Sequence, residues 1–227
     1  MEIQKIIALL PMKGHSERVP NKNIKDFLGK PLFHRITETL LQSRYIDKIV
    51  INTDSEKIKR DAMDNFGNKI QIIDRSKYLQ GDLVSMNKII DNDLQLLKHN
   101  FHFIQTHSTN PLLKTDTIDL AIEKYFDVIE DNTFDSLFSV TRFQTRFYWK
   151  NGNPVNHNPA ELIRTQDLPI IYEENSSFFI FSQDSFYANE KKRIGNRPFL
   201  FEINKIEAVD IDEPEDFIIA RRLYKYD

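Results

Sequence analysis

The sequence predicts an α/β fold, a mostly parallel sheet covered by helices on both faces. From Ile6 to Val140 short apolar runs of strand length alternate with helical stretches, the rhythm of successive strand, helix, strand units. The apolar runs are bounded by turn residues, as buried strands are. A chain of 227 residues can bury a real core, and it carries no internal repeat, low-complexity tract or linker. Residues 1–227 therefore read as a single domain, with one excursion over 141–177.

Ile6 to Leu10 is the first strand, followed by the polar loop Pro11 to Asn23. A helix over 34–43 follows, with Leu32, Ile36, Leu40 and Leu41 at helical spacing. Ile49 to Ile51 is a second strand; Asp54 or Ser55 can cap a helix to about Phe66, which Gly67-Asn68 stops. Ile70 to Ile73 makes a third strand, and Leu83 to Leu97 a helix with Met86, Ile89, Ile90, Leu94 and Leu97 on one face. Phe101 to Gln105, a helix over 115–126 and Ser136 to Val140 complete the regular part.

Between Thr141 and Ser177 the pattern breaks. Tyr148 to Val155 reads as a hairpin with Asn151-Gly152 at its tip, the start of a protruding arm or lid. Strands are expected again at Phe178 to Phe181 and Ile206 to Asp212, with a closing helix that has Pro214 in its first turn.

Composition excludes several function classes. There is no cysteine, which removes disulfides, thiolate metal sites and cysteine nucleophiles together. A net charge of -3 gives no general positive field for nucleic acid or an anionic membrane surface, so an anionic ligand must be held by a local cluster. Neither a secretion signal nor an apolar run of membrane-spanning length is evident, and a cytoplasmic protein is expected. The histidines at 15, 34, 99, 102, 107 and 157 lack the spacing of a zinc site; His107, at a strand end, is the one of interest.

Two constellations carry chemistry. Lys13, Arg18 and Lys22 lie in the loop after the first strand, where open α/β sheets bind ligands, and could wrap a phosphate chain or be solvated charges on a turn. No Gly-rich nucleotide motif is present, so a nucleotide would be held by side chains and a non-Walker loop. Asp210 and Asp212 stand two apart on an expected strand, so both carboxylates would share one face. They suit a magnesium ion; alternatively Asp212 caps the closing helix.

In this order and nearly end to end, Ile7 to Asn23, Gly29 to Leu32, Asn52 to Glu56, Arg75 to Asp82, Thr109 to Leu112, Arg164 to Asn175 and Val209 to Asp212 resemble one enzyme family. It is the cytidylyltransferases that activate 3-deoxy-2-ulosonic acids, the CMP-sialic acid and CMP-Kdo synthetases. The resemblance implies a Rossmann-like, nucleotide-diphospho-sugar transferase type of sheet with a dimerisation arm at 141–177, and a homodimer. It implies transfer of CMP from CTP to the anomeric hydroxyl of a sialic, legionaminic, pseudaminic or Kdo-like acid, with Mg2+ as cofactor and pyrophosphate as the leaving product. By the same resemblance the nucleotide meets Leu10, Pro11, Met12, Lys13, Ser16, Arg18, Lys22, Asn23, Arg75, Asp82 and Ser85. The acceptor sugar meets His107, Thr109, Asn110, Arg164, Gln166, Tyr172, Glu173 and Asn175. Asp210 and Asp212 hold the metal and, with Arg18 and Lys22, form the catalytic group.

Five positions depart from the family pattern: Glu17 where a phosphate-facing lysine is usual, His107 for a glutamine, Leu113 for an arginine, and Glu173-Glu174 for an Arg-Pro-like pair. Glu17 is expected to face away or pair with a neighbouring base. Two other readings stay open: a nucleotidyltransferase of the same fold for another sugar or nucleotide, and a catalytically silent nucleotide-binding homologue.

Overall fold

The structure is a computed structural model that describes residues 3–98 and 101–225, so Met1, Glu2 and His99 lie outside it. Seven strands form one sheet: β1 (Ile6–Met12), β2 (Ile46–Thr53), β3 (Ile70–Asp74), β4 (His102–Thr106), β5 (Ser136–Phe143), β6 (Ile171–Ser182) and β7 (Pro198–Glu202). Their order is β3-β2-β1-β4-β6-β5-β7. Pairings are parallel except those of β6, which runs antiparallel to both β4 and β5. The mostly parallel, mixed sheet expected from the sequence is therefore present.

Helices α1 (Leu32–Gln42), α2 (Glu56–Phe66), α3 (Met86–Leu97), α4 (Thr115–Ile129), α5 (Gln183–Ala188) and α6 (Pro214–Tyr224) cover it. On β1, Ile6, Ala8, Leu10 and Met12 pack with Phe33, Ile58 and Ile122 of α1, α2 and α4. The alternate residues Ile7 and Leu9 pack with Ile90 and Leu94 of α3 and Phe186 of α5. This two-residue alternation gives the sheet an apolar layer on each face. A third cluster joins Val19, Phe27 and Leu32 to Ile211, Phe217 and Ala220, and so seats the loop after β1 on α6. Burying each of its large side chains stabilises by about 1.5–3 kcal/mol.

Local signals hold at the helix ends. Of the two capping candidates for α2 it is Ser55, whose Oγ accepts the Ile58 N–H at 3.3 Å. α3 begins at Met86 rather than Leu83, with Ser85 at its N-cap position and Leu83 fully exposed. At α6, Glu213 occupies the N-cap position. The Asp216 carboxylate accepts the N–H groups of Asp212 and Glu213 at 3.0 and 2.7 Å. Asp212 is thus not the helix cap, and its own carboxylate is left for other partners.

Two expectations need correction. Residues 206–212 form no strand: a turn over 205–208 is followed by irregular chain that touches the loop after β4, where the Ile211 N–H meets the Thr109 carbonyl at 3.0 Å. The seventh strand is instead β7, which begins at a proline; its edge position leaves the missing donor harmless. The excursion over 141–177 is also narrower, because Thr141 pairs with Glu173 and Phe143 with Ile171. β5 and β6 thereby run past the C-terminal end of β4 as a two-stranded ribbon, and only 144–170 leave the sheet. The expected hairpin is there, closed by Trp149 N–H to Asn153 O at 2.8 Å.

β7 is held in place by Asp135, whose carboxylate accepts the N–H groups of Asn196 and Arg197 at 3.0 and 3.2 Å. A Cβ on Gly195 would collide with that carboxylate. Gly195→Ala is expected to lower stability by about 1–3 kcal/mol, read as a lower Tm in thermal unfolding.

Candidate active site

Because β1 to β4 are parallel, the loops after Met12, Thr53, Asp74 and Thr106 leave the same edge of the sheet. The chain goes from β1 outward to β2 and β3 and then returns to the other side of β1 with β4. The gap between β1 and β4 is a topological switch point, where open sheets bind ligands. A cleft of about 460 Å³ opens there, lined by residues of the loops after β1, β3 and β4, by the start of α3 and by Asp212.

The loop after β1 is held in place on three sides. Its Gly14 N–H donates to Asp54 Oδ1 at 2.7 Å, and a Cβ at Gly14 would stand 2.7 Å from that of Ser55, so a side chain does not fit. Asn23 donates to the Lys13 carbonyl at 3.0 Å and accepts from Ser108 at 2.7 Å. Lys22 Nζ donates to the Ile211 carbonyl at 2.5 Å and lies 3.2 Å from Asp212 Oδ1, a partner 190 residues away in sequence. Arg18 bridges Asp212 and Glu213 at 2.9 and 3.0 Å, and Lys13 pairs with Asp82.

Most of the nucleotide set named from the sequence comes together. Pro11, Met12, Lys13, Ser16, Arg18, Lys22, Asn23, Arg75 and Asp82 all line the cleft. Leu10 is buried in the core, and Ser85 sits at the head of α3. Glu17 lines the cleft as well and forms no ion pair among the described residues, contrary to the expectation that it faces away or is paired. In the acceptor set, His107 and Thr109 line the cleft. Asn110 is buried beneath it against Val209. The other five lie along β6 or the arm, outside the cleft of their own chain. Arg164 pairs with Asp167, and Gln166 gives its carbonyl to Gln144. Tyr172 lines a groove between α4 and β7, and Glu173 is exposed. Asn175 accepts from Ser139 at 2.6 Å and donates to Thr141 at 3.0 Å, holding a bulge in β6.

Charge is unevenly distributed over these groups. Burial works to raise Asp212, yet Lys22 and Arg18 hold it below the usual carboxylate range. Asp210 is pushed up by burial and by the charge of Asp212, against Thr109 and Lys22. Its Oδ1 is buried without a hydrogen-bond partner. Two neighbouring carboxylates, one with an unused oxygen facing no donor, fit a hard divalent cation that takes its other ligands from phosphate and water. Among the described residues no group of three or more such side chains exists, so the protein alone does not form a closed metal cage.

Sequence reasoning missed what supports Arg75. This guanidinium is buried and donates to Asn52 Oδ1 at 2.7 Å and to the Asn52 carbonyl at 2.9 Å. Asn52 in turn donates to Asp93 at 2.5 Å, on the buried face of α3. Burial lowers the Arg75 pKa despite the nearby charges of Asp54 and Asp93. A signal existed: Asp93 falls at i+4 from Ile89 and i+3 from Ile90, on the apolar face of its helix.

Comparison with known proteins places this arrangement. A family model described as cytidylyltransferase matches residues 7–225. The pseudaminic acid cytidylyltransferase of Campylobacter jejuni is 30% identical, over 97% of each chain. The CMP-N,N'-diacetyllegionaminic acid synthase of Legionella pneumophila is 28% identical over 96% of each. Among solved structures, a CMP:2-keto-3-deoxy-manno-octonic acid synthetase complexed with CTP aligns with a TM-score of 0.69 over 98% of this chain and 99% of its own, at 14% identity, which speaks for the fold.

Burial raises the Asp93 pKa to about 6, against its bonds to Asn52 and Asn92. Between the ordinary carboxylate pKa near ~4 and that value, the folded state holds a proton the unfolded state has lost, so stability falls as pH rises through this window. Asp93→Asn is expected to flatten that fall by about 1–3 kcal/mol, measured by urea unfolding of variant and wild type from below pH ~4.5 to above ~6.5.

Proposed function

The chain belongs to the cytidylyltransferase family, and from that premise we propose that it transfers CMP from CTP to the anomeric hydroxyl of a 3-deoxy-2-ulosonic acid, releasing pyrophosphate. The observation that carries the proposal is the pairing of Arg18 and Lys22 with Asp212 in the cleft at the β1/β4 switch point, which Lys13, paired with Asp82, also lines. Charges of both signs at a parallel-sheet edge suit a triphosphate and a cation together.

Arg75 follows β3 and His107 follows β4, three strand spacings apart in this sheet, which at about 4.8 Å each is about 14 Å. That span suits a nucleotide laid along the sheet edge, with its base towards Arg75, its phosphates over the loop after β1, and the acceptor at His107 and Thr109. Lys13, Arg18 and Lys22 balance the charge of the triphosphate and of the leaving pyrophosphate. Lys22, clamped between the Ile211 carbonyl and Asp212, is oriented before any ligand arrives. The attacking C2 hydroxyl must be held in line with the α-phosphorus, so positioning and electrostatics supply most of the acceleration. Asp210 and Asp212 would hold Mg2+, which when bound neutralises phosphate charge and lowers the pKa of the attacking hydroxyl.

The acceptor class follows from relatives that act on pseudaminic, legionaminic and sialic acids. Within this proposal residues 1–227 act as one cytoplasmic cytidylyltransferase domain, and the arm at 144–170 joins two copies. Trp149 and Leu162 on the arm are 63% and 96% exposed, as contact residues in a free protomer would be. The ribbon that carries the arm extends from the same sheet edge as the cleft. Arg164 and Gln166 would then reach the partner's acceptor site. Light scattering after size exclusion should give twice the chain mass; a monomer at all concentrations would remove the arm's role.

Purified protein with CTP, Mg2+ and a panel of ulosonic acids should release pyrophosphate with at least one of them. ATP, GTP and UTP in parallel test the reading in which another nucleotide is used, and silence with every pair would leave a binding homologue. Asp210→Asn and Asp212→Asn are each expected to lower kcat about 100-fold or more with CTP binding retained, measured as pyrophosphate release and by calorimetry.

A further inference from the structure

Arg193 was not singled out by any motif, yet its setting is unusual for a charged side chain. Its Nη1 donates to Oε1 of Gln105, a residue with no exposed surface. Its guanidinium carbon lies 3.6 Å from the ring centroid of Phe179. Gln105 and Phe179 are directly opposite each other in the β4/β6 ladder, so the guanidinium sits one rung before the ladder's end at Thr106 and Phe178. Its backbone N–H reaches Asn87 Oδ1 at 3.3 Å, in the first turn of the same α3 whose Met86 and Ile89 line the cleft.

Among the described residues no acid lies within ion-pair distance of this cation, although the charge of Glu174 is felt there, and burial lowers the Arg193 pKa to about 10. The group stays protonated at neutral pH. A desolvated cation whose direct partner is a neutral amide is costly to keep, and unlike Arg75 it has no network with an acid behind it. Two residues beyond Gln105 the cleft wall holds His107, whose Nε2 is buried and unpartnered. Burial and the charge of Arg193 bring its pKa down to about 4, so it is a neutral imidazole. Arg164, the arginine the resemblance assigns to the acceptor, is by contrast on the exposed arm, outside the cleft of its own chain, where it pairs with Asp167 at 2.7 and 3.2 Å.

We propose that Arg193 is the specificity-determining cation of the acceptor site, meeting the sugar's carboxylate at the β4/β6 end of the cleft, with His107 donating or accepting one hydrogen bond beside it. The proposal rests on the cytidylyl-transfer reading. Gln105 occupies one prong of the guanidinium and leaves others to face a carboxylate in the paired geometry arginine favours. The Phe179 ring backs the guanidinium. In this chain the region where the family's Arg-Pro-like pair is replaced by Glu173-Glu174 then keeps a cation, supplied from the segment after α5.

The test is steady-state kinetics of wild type, Arg193→Gln and Arg193→Lys with an ulosonic acid and with its C1 methyl ester. The glutamine variant is expected to raise the acceptor KM about 10- to 100-fold. It should leave the KM for CTP within about twofold and abolish most of the wild type's preference for acid over ester. An unchanged acceptor KM, an equal rise in both KM values or an undiminished preference for the acid overturns the assignment. Should the glutamine variant not fold, the lysine variant decides. It should raise the acceptor KM less, with CTP unaffected, and an acceptor KM equal to wild type overturns the proposal. Wild type that releases no pyrophosphate with any ulosonic acid instead rejects the underlying reading.

Discussion

Parallel pairing of β1 with β2 on one side and β4 on the other is the constraint from which the site follows. All seven residues of β1 are buried, so the strand cannot shift without exposing one of two apolar layers. The chain that leaves Met12 must therefore emerge between the ends of its neighbours, and its polar groups find Asp54 on one side and Ser108 on the other through Gly14 and Asn23. A loop without a Gly-rich phosphate motif becomes rigid by these side contacts. The apolar seat of Val19 and Phe27 on α6 then brings the far end of the chain to it.

The three buried or half-buried cations near the cleft are satisfied in different ways. Lys22 shares a carbonyl and a carboxylate from the C-terminal segment. Arg75 is backed by Asn52 and, through it, by an acid that is itself raised by burial. Arg193 rests on an amide and an aromatic ring. Along the sheet edge from β3 to β6 they come in the order Arg75, Lys22, Arg193, so the cation without an acid partner among the described residues stands at the end where the acceptor would lie.

Legibility in the sequence followed burial. Strands such as Ile49 to Ile51 are apolar on both sides and were readable from composition, as were the helices whose apolar stripes face them. β7 was hidden by its proline and by an edge position that leaves Leu200 44% exposed. The first half of β6 was hidden because its ribbon is solvated and reads as Glu, Asn and Ser. Conversely, Ile206 to Asp212 has a strand's composition, but Ile206 is itself exposed in a turn. At the site, the cationic loop and Asp212 were visible because charges cluster in sequence there. Asn52, Asp93 and Arg193 act through tertiary contacts alone, and for Arg193 no spacing signals its place on Phe179.

One consequence of the antiparallel insertion concerns the order of synthesis. β5 has only β6 and β7 as neighbours, and β4 has only β1 and β6. A nascent chain that has completed β4 can assemble the half sheet β3-β2-β1-β4, but the outer rim of β4 finds no partner until Ser182 has left the ribosome. During that interval Phe103 and Ile104 stand at an open hydrogen-bonding edge, the kind of surface that templates association between chains. The same strand that later forms the floor beneath Arg193 is thus also the partner that covers β4, and any delay in its emergence prolongs the exposure of that rim.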